Sequence, residues 1–244
     1  MNPVILRTNA TAVYRFLCIL NSSLDEGETL QRKKILDCGA GGPIPPLALF
    51  AEQGMDAVGI DICEEQLAKA SAFAQQMNLS IRLRSGDMRQ IPYEDATFDY
   101  VYEHYSMCHL SKADTAAAIE EMRRVLQPGG IAFLGVISQD CWPLLSFGEE
   151  RASGERCVIE EGEERCHTLF TDAESDDLVS SWDVASKEKS ISYVGGEGLS
   201  KDEWKALYSE SPTNCSLKAW MARYSERFNI CRYVHVYYYL KKPI

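Results

Sequence analysis

The chain has 244 residues, 45% of them hydrophobic and 25% charged, which suits a globular protein with one well-buried core. Its formal net charge is −11, from 36 acidic against 25 basic residues, and its longest basic run is Arg32-Lys33-Lys34, so no nucleic-acid partner is expected. No stretch approaches the ~18 apolar residues that span a bilayer, and no basic segment followed by an apolar one opens the chain, so the expectation is a cytoplasmic protein with no membrane partner.

The elements follow in chain order. Lys34–Cys38 (KILDC) is a short buried strand, and three glycines (Gly39, Gly41, Gly42) follow it at once. Pro46–Gln53 has helical spacing and stops at Gly54. Ala57–Ile62 (AVGIDI) is a second apolar strand. Glu64–Met77 is a helix with Leu67, Ala70, Phe73, Ala74 and Met77 on one stripe. Ser80–Arg84 and Phe98–Tyr102 read as strands. Asp114–Leu126 is a helix that ends before Pro128-Gly129-Gly130, and Ile131–Ile137 is a central strand.

Strands alternating with helices in this rhythm predict a doubly wound, mostly parallel α/β sheet with right-handed crossovers. After Ser138 the rhythm changes. Glu149–Glu164 is acidic and glycine-interrupted, an expected exposed excursion. His167–Trp182 suggests a strand end, an N-cap at Thr171 and a helix. Glu188–Val194 alternates as a strand, residues 199–228 carry helical patches, and Tyr233–Leu240 is a last strand rich in β-formers. Nine cysteines are an odd number, scattered and never in a C-x-x-C pair, so reduced thiols are expected and neither a disulfide framework nor a zinc site.

A glycine-rich turn between a first strand and a first helix lets a ligand approach bare backbone and turns N–H groups toward it. In a doubly wound sheet, ligands sit outside the carboxyl ends of the strands. Asp61 closes the second strand, where a carboxylate can take the two hydroxyls of a ribose, so the site is shaped for a nucleoside. The dinucleotide fingerprint G-x-G-x-x-G, aligned on Gly39 and Gly41, needs glycine where Ile44 stands, so a pyrophosphate-binding oxidoreductase is the weaker alternative. S-adenosylmethionine carries no phosphate and suits an acid ahead of the glycines, which is Asp37.

At this point the chain resembles the class I S-adenosylmethionine-dependent methyltransferases, in their small-molecule (type 11-like) branch. LDCGAGG (36–42) looks like their first motif, VGIDI (58–62) their ribose-binding acid, and GDM (86–88) their adenine-binding element. FDYVYEHYSMCHL (98–110) and RRVLQPGG (123–130) match the signatures around the fourth and fifth strands. The resemblance implies a seven-stranded Rossmann-like sheet whose last strand is antiparallel, with helical cover.

It also implies S-adenosyl-L-methionine as cofactor and a small-molecule methyl acceptor. The cofactor residues it points to are Asp37, Gly39, Ala40, Gly41, Asp61, Ile62, Asp87, Met88 and Glu103. The whole of 1–244 is expected as a single methyltransferase domain. Residues 1–32 would be an N-terminal helical cover, 33–138 the cofactor core, and 139–170 and 199–228 insertions covering the substrate. This chain departs from the pattern at Pro43, where a third glycine usually stands, and its loop is longer by a residue.

An activated sulfonium donor needs positioning and desolvation more than a catalytic triad, so a base is required only if the acceptor must lose a proton. The candidates are His104, His109 and His167, with no metal expected. Tyr14 and Phe16, on an N-terminal helix, are placed to close over the cofactor, and His235 reads as structural. Trp142, Phe147, Phe170, Trp204, Tyr208 and Trp220, in the covering segments, suggest a partly apolar acceptor. A non-catalytic cofactor-binding protein of the same fold is the other alternative.

Overall fold

A computed structural model describes residues 11–141, 149–160, 163–194 and 231–244 of the chain. The helical patches expected over 199–228, with Trp204, Tyr208 and Trp220, lie outside the described residues, as do Trp142 and Phe147.

The elements in order are α1 (Thr11–Ser22), β1 (Lys34–Cys38), α2 (Leu47–Ala51), β2 (Asp56–Asp61), α3 (Glu64–Gln76), β3 (Ile81–Ser85) and β4 (Phe98–Tyr102). A single 3-10 turn (Met107–His109) leads into α4 (Lys112–Val125) and β5 (Leu126–Ser138). Then come β6 (Glu149–Ala152), β7 (Glu155–Glu160), β8 (Glu163–Phe170), α5 (Asp172–Leu178), β9 (Asp183–Val194) and β10 (Cys231–Lys241).

Seven strands in the order β3-β2-β1-β4-β5-β10-β9 make the central sheet. The first five run parallel, and β10 is antiparallel to both of its neighbours. This is the predicted doubly wound sheet with its last strand reversed. β1 sits at its centre, pairing β2 and β4, and Ile35 to Cys38 are buried because both faces of the sheet are covered.

The covers are built by helical periodicity. In α4, Thr115, Ala118, Ile119, Met122 and Val125 recur at three- and four-residue spacing and are buried, the Ser111 side chain accepts from Asp114 N, and Arg123 and Arg124 occupy the last turn. In α1, the same spacing buries Val13, Phe16, Leu17 and Leu20. The Phe16 ring lies 5.4 Å from Phe133 and 6.0 Å from Phe50, between centroids, inside an aromatic core that also includes Tyr102 and Tyr239. Phe16 therefore packs α1 on the sheet and does not close over a cofactor. Tyr14, two positions away, faces outward.

Three further expectations are corrected. The helix predicted over Pro46–Gln53 is five residues long, Leu47–Ala51, with no side-chain cap. β5 begins at Leu126 and runs through Pro128-Gly129-Gly130, because Gly129 N donates to Lys242 O at 2.9 Å and Lys242 N to Gly130 O at 3.0 Å. The expected excursion over 149–164 is the antiparallel meander β6-β7-β8, joined to the central sheet where Ile137 and Ser138 pair with Leu169 and Phe170. Phe170 is buried in the main core, with Lys112 Nζ 5.5 Å from its ring centre.

The β7–β8 register sets Cys157 opposite Cys166, and the two form a disulfide. That overturns the expectation of reduced thiols at these two positions. Cys18, Cys38, Cys63 and Cys108 are free thiols. Among the described residues, no helix is long and apolar enough to cross a membrane.

Candidate cofactor site

The carboxyl ends of β1, β2, β3 and β4 open on one cavity of about 270 Å³. Its walls are Gly39 from the first turn, Asp61 and Ile62 from the end of β2, Gly86 to Arg89 after β3, and Tyr105, Ser106, His109 and Leu110 after β4. Four crossovers thus deliver their loops to one place, as the topology requires.

Glycine is needed at residue 39 for two reasons. Its φ is +113°, and a Cβ there would lie 1.9 Å from Ser106 Oγ and 2.4 Å from Ser106 Cβ. The β1 turn and the β4 turn therefore touch through bare backbone. At residue 41 a Cβ would lie 2.5 Å from Asp61 Oδ2.

The backbone N–H groups of this turn are all taken up within the protein. Gly39 N and Ala40 N donate to Ile60 O at 2.8 and 2.9 Å, Gly41 N to Asp61 Oδ2 at 2.9 Å, and Gly42 N to Gln66 O at 3.0 Å. The expectation that the turn presents N–H groups to a ligand is corrected. A phosphate would find no donors here, which removes the physical basis of the dinucleotide reading.

Asp61 also accepts from Cys63 N at 2.8 Å through Oδ1. Each carboxylate oxygen thus carries one internal bond and keeps acceptor capacity toward the cavity. This cross-link fixes the carboxylate's orientation while leaving it able to take two hydroxyls.

Asp87 lines the cavity, but both its oxygens are gripped by a residue that the motif did not single out. Arg89 Nε sits 3.0 Å from Oδ1, Arg89 Nη2 2.6 Å from Oδ2, and Arg89 N donates to Oδ1 at 2.8 Å. The hydrogen bond from Arg89 holds the Asp87 carboxyl below the usual range. Arg89 reaches on to Asp114 Oδ2 at 3.3 Å, tying the loop after β3 to the first turn of α4.

Behind the cavity lie two buried carboxyls. Asp37 accepts from Tyr102 Oη at 2.5 Å, and burial pushes its pKa up to about 8, against the lowering effect of that bond. Glu103 accepts from Gly135 N at 2.8 Å and from Ser106 N and Met107 N at 3.2 Å each. Burial raises it to about 7 even so. Glu103 therefore ties the β4 turn to β5, and Asp37 retains capacity for a cation. Of the nine sequence-derived cofactor residues, Gly39, Asp61, Ile62, Asp87 and Met88 line the cavity, while Asp37, Ala40, Gly41 and Glu103 stand behind it.

The three histidines separate. His109 is on the cavity wall, and its Nδ1 lies 2.9 Å from Cys166 O. A carbonyl can only accept, so Nδ1 carries the proton and Nε2 is the basic nitrogen. His167 packs against it at a tilt, with ring centres 5.0 Å apart, and is not on the wall itself. His104 packs against Tyr105 beyond the cavity rim, and burial holds its pKa down to about 4. Tyr105, Ser106, Arg89 and Leu110 are wall residues that sequence reasoning did not name. The one available signal was their place within FDYVYEHYSMCHL (98–110) or, for Arg89, directly after GDM (86–88).

Strand order and the reversed β10 are those of the S-adenosylmethionine-dependent methyltransferase fold. Residues 36–134 match the family model described as a methyltransferase domain. The chain resembles a sterol 24-C-methyltransferase of Gibberella zeae, 36% identical over 102 residues, covering 40% of this chain and 26% of that protein. A ubiquinone biosynthesis O-methyltransferase of Psychrobacter arcticus is 36% identical over 117 residues, covering 46% of this chain and 43% of that protein. The chain thus spans less than half the length of these relatives. Among solved structures, an S-adenosylmethionine-dependent methyltransferase of Methanosarcina mazei superposes with a TM-score of 0.65 at 19% identity, over 93% of this chain and 97% of that one.

Proposed function

We propose that this protein binds S-adenosyl-L-methionine and transfers its methyl group to a small-molecule acceptor, releasing S-adenosylhomocysteine. The observation that carries the reading is the cavity itself. It joins a free-handed Asp61 to Ile62 and Met88 at the strand ends, while the glycine turn keeps no N–H for a phosphate. The cofactor, when bound, supplies an already activated methyl group.

The protein's part is to hold and aim. Asp61 takes the ribose hydroxyls, and Ile62 and Met88 face the adenine. Asp87, braced by Arg89, accepts from the adenine amino group with its remaining capacity. Asp37 faces the cationic amino-acid end from within the core. Glu103 and Ser106 position the β4 turn against Gly39. His109, with Nε2 as its basic nitrogen, is the histidine best placed on the wall to accept a proton, and His104 and His167 do not line the wall. The small-molecule acceptor is favoured by the relatives' own names, one a sterol enzyme and one a ubiquinone-pathway enzyme.

The test is calorimetric titration with S-adenosylhomocysteine, with NAD as control. We expect binding of the first and none of the second, and Asp61→Ala to weaken it at least tenfold, about 1.4 kcal/mol. Equal affinity in wild type and variant, or binding of NAD, overturns the reading.

A further inference from the structure

Next to the cavity rim stands a cluster of four rings that no cofactor contact explains. His104 and Tyr105 come from the turn after β4, His235 and Tyr237 from β10. Tyr105 packs against His104 with ring centres 4.0 Å apart and against His235 at 4.8 Å, edge on. Its hydroxyl meets that of Tyr237 at 2.8 Å, and His235 stacks parallel to Tyr237 at 5.8 Å.

The surrounding structure is built to hold this group. Tyr105 has φ +64°, a left-handed conformation rare for a bulky side chain, and still leaves 47% of its surface exposed while lining the cavity. Across the sheet, a Cβ at Gly135 would come within 2.8 Å of the Tyr237 ring, so the glycine in an otherwise bulky strand makes room for it.

We propose, building on the cofactor reading above, that His104, Tyr105, His235 and Tyr237 form the acceptor subsite, and that it takes a planar, uncharged aromatic or heteroaromatic ring bearing a hydroxyl or N–H group. The cluster touches the cavity through Tyr105, so an occupant would lie beside the cofactor. Flat rings meeting edge to face suit an aromatic guest.

Among the described residues no hydrogen bond reaches either imidazole, and both rings are half-buried, so their nitrogens are open to a guest's polar hydrogen. Burial keeps both imidazoles neutral down to about pH 4. Among the described residues no lysine or arginine bonds to any of the four rings or lies over one. An anionic guest would therefore find nothing to offset the loss of its hydration.

The probes are 2-naphthol and 2-naphthoate, measured by equilibrium dialysis with and without saturating S-adenosylhomocysteine. The variants are Tyr105→Gly, which relieves the left-handed backbone and so keeps the fold, and His235→Ala. We expect naphthol to bind at least about tenfold tighter than naphthoate and each variant to weaken it about fivefold or more. In His235→Ala, S-adenosylhomocysteine affinity should hold within about twofold, since His235 is off the cavity wall. Failure of the wild type to bind naphthol, equal binding of naphthoate, or variants that bind as wild type does each overturn the subsite. Naphthol bound through Tyr105 and His235 by a protein that does not bind S-adenosylhomocysteine would instead overturn the cofactor reading and keep the subsite.

Discussion

Replacing Asp37 by asparagine is expected to make the protein more stable and less able to hold its cofactor, with the first effect growing as pH rises. The carboxyl is buried, and its pKa is pushed from an ordinary value up to about 8 in the folded chain. A raised carboxylate pKa means that the folded state keeps a proton which the unfolded chain releases. The stability tied to that proton is present below the unfolded pKa near 4 and is lost as pH rises toward 8.

At about 1.4 kcal/mol per pKa unit, the penalty has a ceiling of roughly 6 kcal/mol. Water penetration and relaxation reduce what is observed, so we expect Asp37→Asn to gain about 2 kcal/mol at pH 8 and almost nothing at pH 4. Urea unfolding across that range checks it, and a gain independent of pH would refute the burial argument. Tyr102 can still donate to the amide oxygen, so the bond at 2.5 Å need not be lost.

Cofactor binding should move the other way. A cationic ligand end favours the ionised form of Asp37, so binding to wild type near pH 7 should release protons, seen as heats that change with the buffer's ionisation enthalpy. In Asp37→Asn that dependence should shrink sharply, and S-adenosylmethionine affinity should fall by about tenfold to a hundredfold, the scale of a lost charged hydrogen bond. Unchanged affinity would leave Asp37 a purely structural acid, bonded to Tyr102 for the sake of the core.

How much of this was visible in the sequence depends on whether the cause is local. β1 and β4 were legible to the residue, Lys34–Cys38 and Phe98–Tyr102, because short, mostly apolar runs bounded by glycine or acid suit buried strands of a parallel sheet. The place of Asp61 on the cavity wall was legible because ligands sit at strand ends in this topology, and the family resemblance pointed to Ile62, Asp87 and Met88, which line the same wall.

What stayed hidden is relational. Phe16 belongs to the core because α1 lies on the face bearing Phe133 and Tyr239, which no local pattern at residues 11–22 reveals. Cys157 and Cys166 meet because a hairpin register sets them opposite, and scattered spacing conceals that. The N–H groups of the glycine turn looked available until Ile60 O, Asp61 and Gln66 were found accepting them. Tyr105 lies inside the 98–110 signature, but nothing in that pattern marks it as a wall residue. Its left-handed φ, enforced between the Glu103 knot and β10, puts its ring on the wall.

The sharpest of these relational facts, the contact between Gly39 and Ser106, leads to a prediction with two separable causes. Gly39→Ala is expected to destabilise the protein by about 2–4 kcal/mol and to abolish measurable S-adenosylhomocysteine binding, since both a forbidden φ and a blocked approach are imposed at once. The φ of +113° strains any side chain whatever the space. The steric part is specific, because the new Cβ would lie 2.4 Å from Ser106 Cβ, an atom that rotation of the serine side chain cannot remove.

Ser106→Gly takes away that obstacle and, with it, only a weak bond at 3.4 Å from Ser106 Oγ to Gly39 O. The double variant should therefore recover roughly half of the lost stability, with a coupling energy of about 1–2 kcal/mol in a double-mutant cycle. A coupling energy near zero would mean that the backbone strain alone decides residue 39 and that the β1 and β4 turns are free to part. A full recovery would mean the reverse, with the left-handed turn tolerating alanine. The cofactor readout adds an independent axis. If the two turns close one wall of the cavity by touching through bare backbone, binding should return in the double variant only as far as stability does.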